Sequence, residues 1–322
     1  MKILVTGAAG FIGFHSAIRL LEAGHQVVGI DNLNDYYDVQ LKEARLAILE
    51  RTAGFSFKRL DLADRAGMSD LFRSDDFQVV LHLGAQAGVR YSLENPFAYI
   101  DSNITGTLTV LEGCRNSGVS HLVYASSSSV YGSNTKQPYS VDDRVDSPVS
   151  LYAATKRADE VMCQAYAHLY GFPITGLRFF TVYGPWGRPD MAYFKFADAI
   201  MAGKPIDIYN NGNMERDFTY IDDIVDGIEV VVCGPLYASD ATPHRIYNLG
   251  NNRPAQLMDM ISVLERKLGR PAKKNFLPMQ AGDVYSTYAD IEATQRDLGF
   301  TPKTSLEEGL TRFSQWYMAR RR

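Results

Sequence analysis

Cysteine is scarce in this chain. Cys114, Cys163 and Cys233 are the only three in 322 residues, far apart and without a Cys-x-x-Cys pair. That spacing excludes a disulfide framework and a thiolate zinc site and fits a reducing cytoplasm; no metal is expected. Positive charge is not in excess either: 33 Lys and Arg against 37 Asp and Glu leave a net charge of −4 with no basic stripe, so no nucleic-acid partner is expected. Arg320-Arg321-Arg322 reads as a solvated helix end that complements the helix dipole. A long apolar run is also missing from the start of the chain. Met1-Lys2-Ile3-Leu4-Val5 meets glycine too soon for a signal-peptide core or a membrane span, and no membrane partner is expected. The remaining composition is that of an ordinary soluble protein, long enough for one large α/β domain or for one with a smaller companion.

The first strand is expected at Lys2–Thr6, turning through Gly7-Ala8-Ala9-Gly10-Phe11-Ile12-Gly13 into a helix that ends near Ala23 and Gly24. Glycines at that spacing permit a tight turn, backbone approach to a pyrophosphate and close helix-strand contact. Gly7, Gly10, Phe11, Ile12 and Gly13 are therefore candidate cofactor contacts. The next strand, 26–30, delivers Asp31, whose carboxylate can accept hydrogen bonds from an adenosine ribose diol and would repel a 2′-phosphate. With no arginine in Asn32-Leu33-Asn34, and Asn32 itself a candidate contact, the expected cofactor is NAD rather than NADP. A third strand, 55–60, leads to Asp61 and Leu62 beside the expected adenine, where Asp61 takes the exocyclic amine or caps the helix near 64–72. A fourth, 79–83, opens through Leu83, Gly84 and Ala85 towards Arg90. Small residues there let the backbone approach the cofactor, and Arg90 is either a ligand-facing cation or a solvated surface group.

The densest chemistry comes later. An apolar strand over 119–125 runs into Ser126-Ser127-Ser128-Ser129-Val130-Tyr131-Gly132, and a helix over 151–170 carries Tyr152 and Lys156 on one face, at i and i+4. A free tyrosine, with a pKa of about 10, is a poor base at neutral pH; a neighbouring ammonium favours its phenolate, and a serine hydroxyl can relay a proton to it. Tyr152, Lys156 and Ser127 thus suit removal of a proton from an alcohol whose hydride leaves to a nicotinamide, although a Tyr-Lys pair alone is also ordinary helix surface. A sixth strand, 173–180, closes a nucleotide-binding domain over 1–180. A Gly/Pro-punctuated loop from Thr181 to Asp190 then opens a smaller region over 181–322, with a helix at 222–233 and a strand at 246–249 returning to the sheet. Helices at 96–116 and 151–170 carry apolar residues on more than one face, as a homodimer seam requires.

With the glycine loop, Asp31, the serine run, Tyr152-x-x-x-Lys156 and Arg216-Asp217-Phe218 in place, the chain resembles, over essentially its whole length, an extended short-chain dehydrogenase/reductase acting on nucleotide sugars. It is most similar to the bacterial UDP-glucuronate 4-epimerases, at 126–132, 150–156 and Leu177-Arg178-Phe179-Phe180-Thr181-Val182-Tyr183-Gly184-Pro185-Trp186-Gly187-Arg188-Pro189-Asp190-Met191. The resemblance implies a Rossmann-type α/β fold, a doubly wound parallel sheet with a smaller C-terminal α/β substrate-binding region. It implies Tyr152 as base and acid, Lys156 as anchor of the nicotinamide ribose, Ser127 as hydroxyl partner and Phe180 beside the nicotinamide. It also implies a UDP-sugar held by Arg90, Ser127, Ser128, Ser129, Tyr152, Thr181, Arg188, Arg216 and Asp283, and a four-helix seam in a homodimer.

Related dehydratases place Asp-Glu, and UDP-glucuronate decarboxylases Ser-Glu, where this chain has Ser128-Ser129. Loss of water needs an additional acid and base, so a hydroxyl-only run points to hydride out and hydride back. Where UDP-galactose 4-epimerases carry an arginine for the diphosphate three residues before an aspartate, this chain has Gln280 before Asp283, which leaves the diphosphate to Arg216. Arg188 offers a fork of donors matched to a carboxylate, or else caps its loop. A 4-keto uronic acid is a β-keto acid that loses carbon dioxide when its C5–C6 bond aligns with the carbonyl, so its carboxylate has to be held out of that alignment. The expected activity is interconversion of UDP-glucuronate and UDP-galacturonate by transient C4 oxidation with bound NAD, rotation of the 4-keto sugar and hydride return. A 4-epimerase of a neutral or N-acetylated UDP-hexose is the alternative enzyme. A non-catalytic nucleotide sensor is the alternative of another class, disfavoured by the intact Tyr-Lys pair.

Overall fold

Short, near-continuous apolar runs such as Ile3-Leu4-Val5 and Val79-Val80-Leu81 are buried almost completely, as strands must be when helices cover both faces of their sheet. The computed structural model describes residues 1–234, 243–279 and 285–321. Its strands β1 (Lys2–Thr6), β2 (Gln26–Asp31), β3 (Phe55–Arg59), β4 (Val79–His82), β5 (His121–Ser127) and β6 (Ile174–Phe179) join His244–Leu249 in one seven-stranded sheet. Its order is His244–Leu249, β6, β5, β4, β1, β2, β3. Within β1 to β6 every neighbouring pair is parallel, so the doubly wound Rossmann-type sheet is present. The strand order reverses between β1 and β4, and in open sheets of this kind ligands bind beyond the carboxyl ends at that reversal. One core under the sheet gathers Leu4, Val28, Val80 and Leu122 with Phe72, Leu111 and Cys163 from the covering helices.

The chain divides into two units, the first comprising 1–135, 141–179 and 225–247, the second 136–140, 180–224 and 248–322. In the second, Pro254–Gln256, Glu215–Tyr220 and Thr181–Tyr183 form a three-stranded sheet, and Lys273–Phe276 pairs in parallel with Pro205–Ile208. Its core is aromatic: the ring of Tyr193 lies 4.9 Å from that of Phe313, which packs in turn on Phe194, Trp316 and Tyr317. Among the described residues no helix is long and apolar enough to cross a membrane.

One helix departs from its expected form. The segment expected as a single helix over 96–116 is Pro96–Tyr99, a π-helical turn over Ile100–Thr105, and Gly106–Ser117. The wider turn accompanies a buried Asn103, whose amide donates to the Gln86 carbonyl (3.1 Å) and to Thr155 Oγ1 (2.9 Å) and whose Oδ1 accepts from Gln86 N–H (2.8 Å). Bonds to two other segments hold this residue inward, and π turns recur where a helix must re-aim a side chain in this way.

Candidate active site

The glycine loop is fixed by space. Gly7 has φ +68°, and a Cβ added to it would sit 2.8 Å from the Gly84 backbone; one added at Gly13 would come 2.1 Å from the Gly7 carbonyl oxygen. Neither position tolerates a side chain, so the turn presents bare backbone at the start of helix Phe11–Glu22. Phe11 is buried, while Gly10 and Ile12 are half-buried. At the end of β2, Asp31 accepts from Ala9 N–H (3.1 Å) and Leu33 N–H (2.9 Å), which ties it to the same loop. Asn32 donates to Asp61 Oδ2 (2.8 Å), and Asp61 Oδ1 accepts from Ala63 N–H (2.8 Å). Asp64, rather than Asp61, caps helix Arg65–Ser74 by accepting from Gly67 N–H (3.0 Å). Leu62 is buried; Leu83 and Ala85, on the segment leaving β4, are half-buried, and the exposed Arg90 precedes the short helix Tyr91–Glu94.

A cation does lie near Asp31, contrary to what residues 32–34 suggest. Lys42 and Arg45, both buried on helix Val39–Leu49, fold back onto the loop, with Lys42 close enough to Asp31 for the charges to interact. Lys42 Nζ donates to the carbonyl and to Oδ1 of Asn34 (both 2.7 Å), and Arg45 Nη1 donates to the Ala9 carbonyl and to Tyr37 Oη (both 2.8 Å). Both therefore brace the loop around Asp31.

β5 carries the serines to its carboxyl end. Ser127 Oγ accepts from Ser129 N–H (3.1 Å) and so caps the single 3₁₀ turn Ser128–Tyr131. Helix Leu151–Tyr170 begins at a Ser150 cap, whose Oγ accepts from Ala153 N–H (3.1 Å); Tyr152 thus lies in the first turn and Lys156 one turn later. Lys156 is buried, and its Nζ donates to the Ala125 carbonyl (3.1 Å) and to Asp159 Oδ2 (3.0 Å), which binds the helix to the strand bearing Ser127. Burial alone would lower the Lys156 pKa, but Asp159 and Tyr152 outweigh it and the value is raised. Burial pushes the Asp159 carboxyl up to about 6 against the pull of Lys156. The Tyr152 ring stands edge-on to that of Tyr99, 6.1 Å away, and Thr155 Oγ1, which receives the Asn103 amide, donates to the Tyr152 carbonyl (2.9 Å).

Beneath the serines lies a buried ion pair. Arg178 on β6 donates from Nε to Glu160 Oε1 (2.8 Å) and from Nη2 to Oε2 (2.9 Å), while its Nη1 reaches Tyr131 Oη (3.0 Å). Ser126 Oγ donates to Glu160 Oε1 (2.6 Å) and Arg157 Nη1 to Oε2 (3.1 Å). Burial opposes ionisation of Glu160, yet Arg178, Ser126 and Arg157 hold its pKa below the ordinary range. The serine run is thereby held at both ends, through Ser126 and Tyr131.

In the second unit, Thr181 opens strand Thr181–Tyr183, and the buried Phe180 donates its N–H to the Leu249 carbonyl (3.2 Å). Arg188 presents its fork to a carboxylate two residues on: Nε to Asp190 Oδ1 (3.0 Å) and Nη2 to Oδ2 (2.7 Å). Arg216 Nη1 donates to the carbonyls of Glu215 (2.8 Å) and Tyr285 (3.1 Å). Its neighbour Asp217 is fully buried and accepts from Asn251 (2.6 Å), Asn252 (3.0 Å) and Ala289 (3.1 Å) N–H groups, knotting three segments together. Gln280 and Asp283 lie outside the described residues.

Comparison with known proteins gives a family model, the NAD dependent epimerase/dehydratase family, that matches residues 3–250. The chain belongs to this family. It is 50% identical over 330 residues to a probable UDP-glucuronate 4-epimerase of Rhizobium meliloti, covering 98% of this chain and 97% of that one. It is 49% identical over 333 residues to UDP-glucuronate 4-epimerase 3 of Arabidopsis thaliana, covering 98% of this chain and 76% of the relative. Among solved structures, the UDP-glucuronic acid 4-epimerase of Bacillus cereus, in complex with UDP-glucuronic acid and NAD, matches with a TM-score of 0.91 and 37% identity over 99% of both chains.

As an NAD-dependent epimerase/dehydratase family member, the chain has a first unit that fits its cofactor. A turn closed to any Cβ at Gly7 and Gly13 leaves backbone N–H groups for a pyrophosphate, and the Asp31 carboxylate beside it suits a ribose diol. Four residues that hold the serine strand and the helix bearing Tyr152 are not among the expected site residues: Asn103, Asp159, Glu160 and Arg178. Asp159 and Glu160 carry a signal, since i+3 and i+4 from Lys156 is the same helix face. Arg178 carries another, a charge inside the otherwise uncharged, buried strand Ile174–Phe179, which demands a buried partner. Asn103 carries none, because π turns have no sequence pattern.

Proposed function

We propose that this chain is a UDP-glucuronate 4-epimerase that interconverts UDP-glucuronate and UDP-galacturonate. The observation that carries this reading is the Tyr152-Lys156 helix bound to a serine strand whose residues 127–129 are hydroxyls alone, in a chain about half identical to proteins named for that activity. Bound NAD would supply the acceptor and donor of a hydride at the sugar C4. Tyr152 takes the proton of the 4-hydroxyl through Ser127 and later returns it, while the Lys156 ammonium favours the phenolate. With no carboxylate at 128 or 129, water is not eliminated. Ser128, Ser129, Thr181 and Arg188 hold the uronate, keeping its C6 out of alignment with a C4 carbonyl. The Arg188 fork is engaged by the Asp190 carboxylate in bidentate geometry, so a uronate would take the place of Asp190 or use the Nη1 donors. Arg216 serves the diphosphate and Asp283 the uridine ribose, with Arg90 a further cation. Residues 1–180 form the cofactor domain, with returning segments near 222–250, and 181–322 mainly the sugar-nucleotide region; Phe180 flanks the nicotinamide, and Asn32, Asp61, Leu62, Leu83 and Ala85 flank the adenosine half.

Two further properties belong to this reading. Leu93, Phe97, Ile100 and Leu108, with Val161 and Leu169 on helix Leu151–Tyr170, are exposed apolar residues of the first unit, and a second copy of the chain would bury them in a four-helix seam. Cys114 and Cys163 are buried thiols, which suits a cytoplasmic location. The test of the activity is proton NMR of the purified protein with UDP-glucuronate, UDP-galactose and UDP-N-acetylglucosamine in turn. New anomeric signals from UDP-glucuronate alone are expected; conversion of the neutral sugars alone would give the site to a neutral hexose.

A further inference from the structure

Lys156 is enclosed on every side, which is a difficulty for an ammonium. A cation taken out of water sheds its proton unless a counter-charge compensates. The titratable groups around it are Tyr152, Asp159, Glu160 and Cys163 on its own helix, His82 on β4, Tyr124 on β5, and Cys114 behind Cys163. Most of them carry no charge. Burial holds the His82 imidazole down to about 3, and burial pushes Tyr124, Cys163 and Cys114 up, so all four are neutral near pH 7. Glu160 is ionised, but both its oxygens are engaged by Arg178, Arg157 and Ser126. Asp159 is the carboxylate that meets the ammonium, at 3.0 Å, with relative side-chain exposures of 4% for Lys156 and 1% for Asp159. The Thr107 side chain also favours the ionised Asp159, but it is a neutral group and leaves Lys156 as the cation this carboxylate meets.

We propose that Asp159 is a positioning residue, the buried counter-ion that keeps Lys156 an ammonium and seats it on the Ala125 carbonyl of the serine-bearing strand. The inference rests on the reading of Lys156 as partner of Tyr152 and adds what that role requires: a buried lysine that stays charged over the working pH range. Asp159 protonates near 6, which sets the acid end of the ion pair; the alkaline end is where Lys156 loses its proton. Without the carboxylate, Tyr152 is left to oppose desolvation, and the alkaline end moves down.

The experiment uses protein labelled with ¹³Cε-lysine, the Lys156 resonance being assigned by its loss in Lys156→Arg and followed from pH 7 to 11. Asp159→Asn, close in volume to the parent, should lower the Lys156 midpoint by at least about one pH unit, the tenfold scale of one lost charge partner. Asp159→Glu, which keeps the charge and is the variant to use if the amide does not fold, should lie between the two. The alkaline limb of turnover with UDP-glucuronate should move with the resonance. A Lys156 titration in Asp159→Asn that superimposes on the parent would overturn the proposal. A resonance that shifts while the turnover limb stays in place would uphold the counter-ion and instead remove Lys156 from the reaction.

Discussion

Tyr152 and Arg188 are the two side chains whose removal separates the chemistry from the choice of sugar. Tyr152→Phe deletes the oxygen that exchanges the proton while leaving the ring against Tyr99, so turnover should fall by at least about a hundredfold with UDP-glucuronate affinity little changed. Single-turnover kinetics beside calorimetry check this, and turnover near that of the parent ends the assignment. Arg188→Ala removes a charge-assisted pair worth about 1.5–3 kcal/mol, so affinity for UDP-glucuronate should drop roughly ten- to hundredfold, and that for UDP-glucose much less. A poorly held carboxylate should also leak, with decarboxylated UDP-4-keto-pentose visible by mass spectrometry. Equal weakening for both sugars and no such product would make Arg188 a loop residue, locked by Asp190, and would favour the neutral-hexose alternative.

β6 and helix Leu151–Tyr170 are joined by Arg178 and Glu160, and breaking one side of a buried pair costs about 3–5 kcal/mol because the other charge is stranded. Arg178→Met should lose about that much in urea unfolding, the lower end being expected because Arg157 still reaches Glu160. Arg178→Met with Glu160→Leu should recover most of it, whereas a loss below about 1 kcal/mol in the single variant would mean that the serine strand does not depend on the pair. The sheet also carries a pH dependence. Burial lowers His82 to about 3 and His121 and His244 to about 4, from an ordinary 6.5. Below 6.5 the unfolded chain takes up these protons and the folded chain does not, so their contribution is full above 6.5 and declines towards pH 4. Asp159, raised to about 6, and Asp217, also raised by burial, act in the opposite sense, since protonating them relieves a buried charge, whereas the lowered carboxyls of Asp75, Glu160 and Glu265 add to the histidines. The urea midpoint should therefore be lower at pH 5 than at pH 7.5, and a midpoint that rises on acidification would show that these histidines titrate freely.

For the assembled protein the prediction turns on Phe97 and Leu169, which are 77% and 67% exposed, with Leu93 and Val161 also open to solvent. Apolar side chains this exposed on three helices of one unit have a large hydrophobic gain available from a partner surface. Light scattering at micromolar concentration should give twice the chain mass. Phe97→Glu, which places charge in the proposed seam, should give a monomer that retains its fold by circular dichroism. A parent chain that is already monomeric would leave these residues for another partner.

Much of the first unit was legible in the sequence because its signals are local. Strand, glycine turn and helix follow one another within residues 2–22, and Tyr152 and Lys156 share a helix face through i,i+4 spacing alone. The Asp31 neighbourhood was half legible: residues 32–34 hold no cation, yet Lys42 and Arg45 come back from the following helix to brace the loop, a proximity that exists only once the chain has turned. The helix expected over 96–116 is present and contains a π turn over Ile100–Thr105, where Asn103 bonds to Gln86 and Thr155, a widening that residue spacing alone does not reveal. Residue type and spacing thus determined which groups could perform the chemistry. Spacing also put Asp159 one turn from Lys156, but that both are buried, and so interact as a desolvated pair, was decided by tertiary packing against the sheet.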